Sequence, residues 1–196
     1  METARSLYDA WAPHILRHAK SDHVEIEIRL GRKTPTKFDT NVGREAFQKI
    51  LSALERYDGW ESKTVKTYSV YYAGSRRVTV DEATDETVAV VKSRVTAHDY
   101  VLPNAPFDVR LAVSTEVPYE PNDEEMESVK EKKRWSFVRK NLSIDLSQIK
   151  GDPEDPDSDE DTTWHVELEI INPKDIGDQD KLFALLYKIF NVLDCV

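Results

Sequence analysis

The chain of 196 residues has a single cysteine, Cys195. An internal disulfide framework is therefore excluded, and a reducing compartment is expected. No stretch approaches the roughly 18 apolar residues of a membrane span. The opening Met1-Glu2-Thr3-Ala4-Arg5-Ser6 lacks the apolar run of a signal peptide. These absences lead to the expectation of a soluble, intracellular protein, nuclear or cytoplasmic. Excess positive charge is missing too. The formal net charge is −10, which argues against a basic surface that coats DNA or RNA, so any nucleic-acid contact should be local. There is no Gly-x-x-x-x-Gly-Lys-Ser/Thr loop and no dinucleotide fingerprint, so a phosphate is not expected at a helix N-terminus. No interdomain linker is visible. The length and a hydrophobic content of 39% fit one domain, 1–196, large enough to bury a core.

What the chain does have is alternation. In Val24-Glu25-Ile26-Glu27-Ile28-Arg29-Leu30 the apolar residues share one strand face and the charged residues the other, and Trp164-His165-Val166-Glu167-Leu168-Glu169-Ile170 repeats the pattern. Glu is a poor strand former, and carboxylates two residues apart on a strand repel, so two such pairs call for a compensating charge such as a divalent cation. Helical spacing marks Leu7 to about Lys20 (Leu7, Ala10, Trp11, Ile15), with Pro13 as a kink or a late start. It marks Phe47, Ile50, Leu51, Leu54 and Tyr57 behind the candidate caps Asp39, Thr40 and Asn41. It also marks Leu182, Leu185, Leu186, Ile189, Phe190 and Leu193 from about Asp178. Between Ser62 and Leu146 the period is two, with turns near Gly74, at 81–86 and at 103–106, which implies an antiparallel meander. Residues 148–163 carry almost nothing apolar and read as a disordered acidic loop.

Charge recurs on one face of strand after strand: Arg77 and Thr79; Lys92 and Arg94; Arg110, Ser114 and Glu116; Lys130, Lys132 and Arg134; Ser143, Asp145 and Ser147. An open sheet with this face in water is one reading. The other closes the sheet into a barrel, turns the apolar faces outward against the helices, and lines the interior with charge. Such a lumen suits a polyphosphate with Mg²⁺ or Mn²⁺: carboxylates take the hard cation, and Arg and Lys clamp phosphate oxygens.

Paired Glu-x-Glu strands that bracket a basic row resemble the triphosphate tunnel metalloenzymes, in particular the metal-dependent RNA 5′-triphosphatases of fungal and large-DNA-virus mRNA capping; the short length is similar to the minimal viral form. The resemblance runs from Val24 to Ile170. It implies an α+β, mainly β fold: a closed antiparallel eight-stranded barrel with helices packed outside. It makes Glu25, Glu27, Glu167 and Glu169 metal ligands for Mg²⁺ or Mn²⁺. It implies catalytic roles for Glu116, near the attacking water, and for Arg77, Lys132 and Arg134. Phosphate contacts are implied for Arg29, Lys92, Arg94, Lys130, Asp145 and Ser147. Lys130, Lys132 and Arg134 precede Ser136-Phe137 as the family's basic row precedes a Ser-aromatic pair, although its first position is often Arg. Ser143-Ile144-Asp145-Leu146-Ser147 stands where the family tends to read Arg-x-Asp-Leu-Thr, so Ser143 replaces a guanidinium. The implied substrate is triphosphate-ended RNA, from which the γ-phosphate is removed in the first step of capping. The implied partner is a separate RNA guanylyltransferase, with no membrane and no DNA.

Two other readings stand beside this one. A relative in the same barrel class would hydrolyse tripolyphosphate, thiamine triphosphate or a nucleotide; such chains tend to read Glu-x-Glu-x-Lys, where this one has Arg29. A non-catalytic barrel would bind an anion and release no phosphate. Elsewhere, His14 and His18 sit four apart on a helix and read as solvated or packing residues rather than a zinc pair. His98 and His165 read as structural, and Trp11, Trp60, Trp135 and Trp164 as packing. Cys195 has no base partner that would make it a nucleophile.

Overall fold

A computed structural model describes residues 2–122, 126–151 and 162–196. Three helices, α1 (Glu2–His18), α2 (Arg44–Arg56) and α3 (Gln179–Leu193), accompany nine strands: β1 (Val24–Lys33), β2 (Phe38–Asp39), β3 (Ser62–Ala73), β4 (Arg76–Asp81), β5 (Thr87–Tyr100), β6 (Asp108–Pro118), β7 (Ser128–Arg139), β8 (Leu142–Lys150) and β9 (Thr163–Ile170). The sheet order is β1-β6-β5-β4-β3-β7-β8-β9, and β9 pairs back onto β1, so eight antiparallel strands close into a barrel. β2 adds a two-residue ladder to the end of β1. Closure removes the unpaired edges that an open sheet of this length would expose. The charged face is thus the inside of a barrel, not one side of an open sheet.

Directly opposed residues in an antiparallel ladder point to the same face, so the register sorts every strand. Ile26, Ile28 and Leu30 on β1, Leu111 and Val113 on β6, and Val166, Leu168 and Ile170 on β9 all face outward and are buried by the helices. The hydrophobic core therefore lies between the barrel wall and the helices. Trp11 and Ile15 of α1, Phe47 and Ile50 of α2, and Leu182, Leu186 and Ile189 of α3 fill it. Each such large side chain contributes roughly 1.5–3 kcal/mol by leaving water. On the far side the outer face meets solvent, and Val65 is 57% exposed. Among the described residues no helix is long and apolar enough to cross a membrane.

Several local expectations are corrected. α1 begins at Glu2 and runs through Pro13. Ala10, expected on its packing stripe, is exposed, while Ala4, Tyr8 and Ala12 are buried. Asp39, Thr40 and Asn41 do not cap α2: its N-cap is Gly43, at φ 79°, without a side-chain hydrogen bond. The Asn41 carboxamide oxygen instead accepts from the backbone N–H groups of Gly43 and Trp164, both at 3.1 Å, and so ties the entry of α2 to β9. Asn41→Ala should lower stability by about 1 kcal/mol in urea unfolding, with an unchanged m-value; no change in the midpoint would refute that tie. Tyr57 ends α2 rather than extending it. α3 starts where expected, with the Asp178 side chain accepting from Lys181 N at 2.9 Å. β8 reaches Lys150 and β9 begins at Thr163, so both ends of the expected acidic loop 148–163 are strand. Its centre, 152–161, lies outside the described residues. His14 does not pair with His18 but stacks on His98 of β5, with ring centroids 3.6 Å apart.

Candidate active site

The same register that sends valines and leucines outward brings the charged rows together inside. On β1–β9, Glu27 is directly opposite Glu169 and Arg29 opposite Glu167. On β8–β9, Ser143 faces Glu169 and Asp145 faces Glu167. On β1–β6 and β5–β6, Glu25 faces Ser114, and Lys92 faces Glu116. Arg134 faces Ser147 across β7–β8. All fourteen residues singled out from the sequence thus belong to the lumenal parity of their strands.

Ion pairs knit this wall. Arg29 Nη2 lies 2.6 Å from Glu27 Oε1, and its Nε lies 3.3 Å from Glu167. Arg77 donates to Glu116 at 2.6 Å. Lys92 donates to Glu25, lies 3.1 Å from Glu116 and 3.9 Å from Glu27. Ser114 also donates to Glu25, at 2.7 Å. Arg134 stands 3.5 Å from Asp145 and 4.0 Å from Glu167. At Ser143 the hydroxyl donates to Asp145 at 2.6 Å, so Arg134 is the guanidinium that faces this carboxylate.

The barrel interior sets the charge states apart. Burial, then the charge of Glu167, pushes Glu27 up to about 7. Burial, with Glu25 and Asp145 nearby, pushes Glu169 up to about 7. Burial also works to raise Glu167, but Arg29, Lys132 and Arg134 surround it and hold it far below the usual carboxylate range. Lys132 is brought down to about 8 by burial and by Arg134. The burial of Glu116 is outweighed by Arg77 and Lys92, which keep its carboxyl low.

Two expected site residues stand apart from the cluster. Lys130 and Arg94 are exposed. Arg94 opposes Ser114 but sits at the register shift between Arg94 and Thr96, where the ladder is interrupted. Further inward residues escaped the sequence reading. His165, taken as structural, opposes Ser147, and Thr163 lies 2.9 Å from its ring. Tyr68 opposes both Lys132 and Asp81, and Lys66 pairs with Asp81 at 2.7 Å. Their signal was parity alone, two residues apart along one strand. A cavity of about 600 Å³ between α2 and α3, floored by Leu142 and Ile144, lies outside the barrel and contains none of these residues.

Among the described residues no three His, Cys, Asp or Glu side chains are grouped to hold a metal ion as they stand. Glu25, Glu27, Glu116, Asp145 and Glu167 are drawn to an ammonium, a guanidinium or a hydroxyl instead. The donor set nevertheless fits a hard divalent cation. Like charges directly opposed across a ladder are unfavourable, and Glu27 and Glu169 are such a pair. Crowded carboxylate oxygens of this kind suit Mg²⁺ or Mn²⁺.

The barrel resembles solved triphosphatases. The RNA triphosphatase Pct1 of S. pombe superposes with a TM-score of 0.80 at 18% identity, covering 100% of this chain and 92% of that one. The Mimivirus capping enzyme triphosphatase gives 0.64 at 16% identity, covering 96% and 97%. At such identities the likeness is one of fold. In sequence, the mRNA-capping enzyme subunit beta of Yarrowia lipolytica is 29% identical over 98 residues, which are 50% of this chain but 23% of that protein. The matched stretch thus spans about a quarter of that relative's length. The family model for the mRNA capping enzyme, beta chain, matches residues 60–184, from just before β3 into α3. It contains Glu116, Lys132, Arg134, Glu167 and Glu169, and the register joins Glu25 and Glu27 to them. With well over half of its length matched, the chain belongs to the mRNA capping enzyme beta-chain family.

Proposed function

We propose that the chain hydrolyses the β–γ phosphoanhydride of triphosphate-ended RNA, leaving a diphosphate end, the first step of capping. The observation that carries this is a set of buried donors aimed into the barrel. Nε of Arg29, Arg77 and Arg134 and the Ser147 hydroxyl have no hydrogen-bond partner among the described residues. Buried polar groups are rarely left so, and four within one charged lumen fit an anion with many oxygens.

Arg77, Lys132 and Arg134 bind and neutralise the phosphoryl oxygens, since phosphoryl transfer is mostly positioning and electrostatics. Lys132, lowered to about 8, still carries its charge at neutral pH. Arg29, Lys92, Asp145 and Ser147 complete the wall around the phosphates. Arg94 and Lys130, nearer solvent, meet the outlying phosphate oxygens. Glu116 is kept ionised by Arg77 and Lys92 and accepts a hydrogen bond from the attacking water. Glu25, Glu27, Glu167 and Glu169 would hold Mg²⁺ or Mn²⁺, whose chemistry is Lewis-acid stabilisation of the γ-phosphate. A separate RNA guanylyltransferase is the partner that would take the diphosphate end.

Phosphate release from triphosphate-ended RNA, ATP and tripolyphosphate, each with and without Mg²⁺ or Mn²⁺, tests this reading. Metal-dependent release from RNA is expected, with some Mn²⁺-supported release from ATP. Release from tripolyphosphate but not RNA would favour a small-molecule enzyme, and none in any metal a simple anion-binding barrel.

A further inference from the structure

We infer that Lys92 is a displaceable internal counter-ion: its ammonium occupies the meeting point of Glu25, Glu27 and Glu116 until a divalent cation takes Glu25 and Glu27, and then turns to the substrate's phosphate oxygens. The inference rests on the metal-binding reading above and assigns Lys92 a role that precedes its phosphate contact.

The geometry separates Lys92 from the other lumenal cations. One ammonium reaches three carboxylates, Glu25 by a hydrogen bond, Glu116 at 3.1 Å and Glu27 at 3.9 Å. Each of these has a second partner on a different residue: Ser114 for Glu25, Arg29 for Glu27 and Arg77 for Glu116. The departure of Lys92 would therefore leave none of the three bare. The guanidiniums are rigid planar forks committed to one or two neighbours, whereas lysine carries a point charge on a flexible four-carbon stem. Its side chain keeps 24% of its surface exposed, so the head has open space to move into. A lysine ammonium is charged at neutral pH and so competes there with a cation for the same oxygens.

Two consequences follow from one site holding two alternative cations. Without divalent ions, Lys92 screens carboxylates that would otherwise repel one another, and the barrel can fold empty. When a metal binds alone it must first displace a tethered ammonium, so its affinity is weakened. When a polyphosphate is present the released ammonium gains new oxygens, and the two ligands assist each other.

Binding of Mn²⁺ alone, by calorimetry or electron paramagnetic resonance at pH 8, is the direct test. Lys92→Met should bind Mn²⁺ at least about tenfold more tightly than the unmodified protein, although it has lost a group from the phosphate wall. Lys92→Gln, with a neutral polar head, should do the same and serves where the Met variant does not fold. Mn²⁺ binding that is unchanged or weaker in both variants overturns the counter-ion role and leaves the metal reading standing. If neither the unmodified protein nor the variants bind Mn²⁺, even with imidotriphosphate present, the metal reading falls and the inference falls with it.

Discussion

Glu169→Ala should lower metal-dependent phosphate release from triphosphate-ended RNA by about 10²- to 10³-fold, with the fold intact. The reason lies in the register. Glu169 is directly opposite Glu27 and, across the other ladder, opposite Ser143. It thus stands in the lumen within reach of the other carboxylates that would share a cation. Its own environment opposes its charge, since burial and the neighbouring Glu25 and Asp145 push its carboxyl up to about 7. A residue kept for structure would not be a buried acid facing another acid. Truncation should therefore cost activity on that scale while leaving stability at pH 8 unchanged or higher. Glu25→Ala should behave likewise in activity. Lys130→Ala, at an exposed position outside the central ion pairs, should change the rate less than about tenfold in the same assay. Full activity in both glutamate variants would remove the metal-site assignment. Activity lost only in step with unfolding would reduce Glu169 to a structural residue.

The sequence was most legible where a short-range rule decides the outcome. Alternation sends Glu25, Glu27 and Arg29 to one face and Ile26, Ile28 and Leu30 to the other whatever pairs with the strand. The whole lumenal set could thus be read by parity, Lys130 and Arg94 included. Parity does not report depth. A register shift beside Arg94 and the exposed position of Lys130 separate them from the buried cluster, and both depend on the partner strand. Nor could alternation show that Glu27 meets Glu169, because that contact requires strands from opposite ends of the chain to close the barrel. Asn41 was misread for a related reason. Its position before an apolar helical stripe satisfies the capping rule, but the backbone of Trp164, far along the chain, competes for the same carboxamide oxygen. His165 shows the limit on the other side, since a histidine amid apolar residues reads as packing until the register places it beside Ser147.

Without divalent cations the protein should lose stability as pH rises from about 5 to 8, and Glu169→Gln should lose less. For Glu27 and Glu169 the carboxyl moves from an ordinary 4.5 to about 7 in the folded protein. Between those values the folded state holds protons that the unfolded chain has already released, so stability falls with rising pH, and the full penalty is present above about 7. For Glu169 alone the loss is on the order of 3 kcal/mol. Glu167 has the opposite sign, but its folded value lies far below 4.5. Its stabilisation is complete at pH 5 and adds no slope above it. His165 and His98, both held below the ordinary 6.5 chiefly by burial, make stability rise with pH in the acid part of this range. The informative quantity is therefore the difference between the unmodified protein and Glu169→Gln, in which the histidine contributions cancel. Urea midpoints at pH 5 and 8 should show the variant gaining on the unmodified protein as pH rises. Added Mg²⁺ at pH 8 should close that gap from the side of the unmodified protein, because only the intact carboxylate set gains a counter-charge. Parallel pH profiles for the two proteins would mean that Glu169 ionises as freely in the barrel as in the unfolded chain, and the crowded-carboxylate argument for a cation would lose its support.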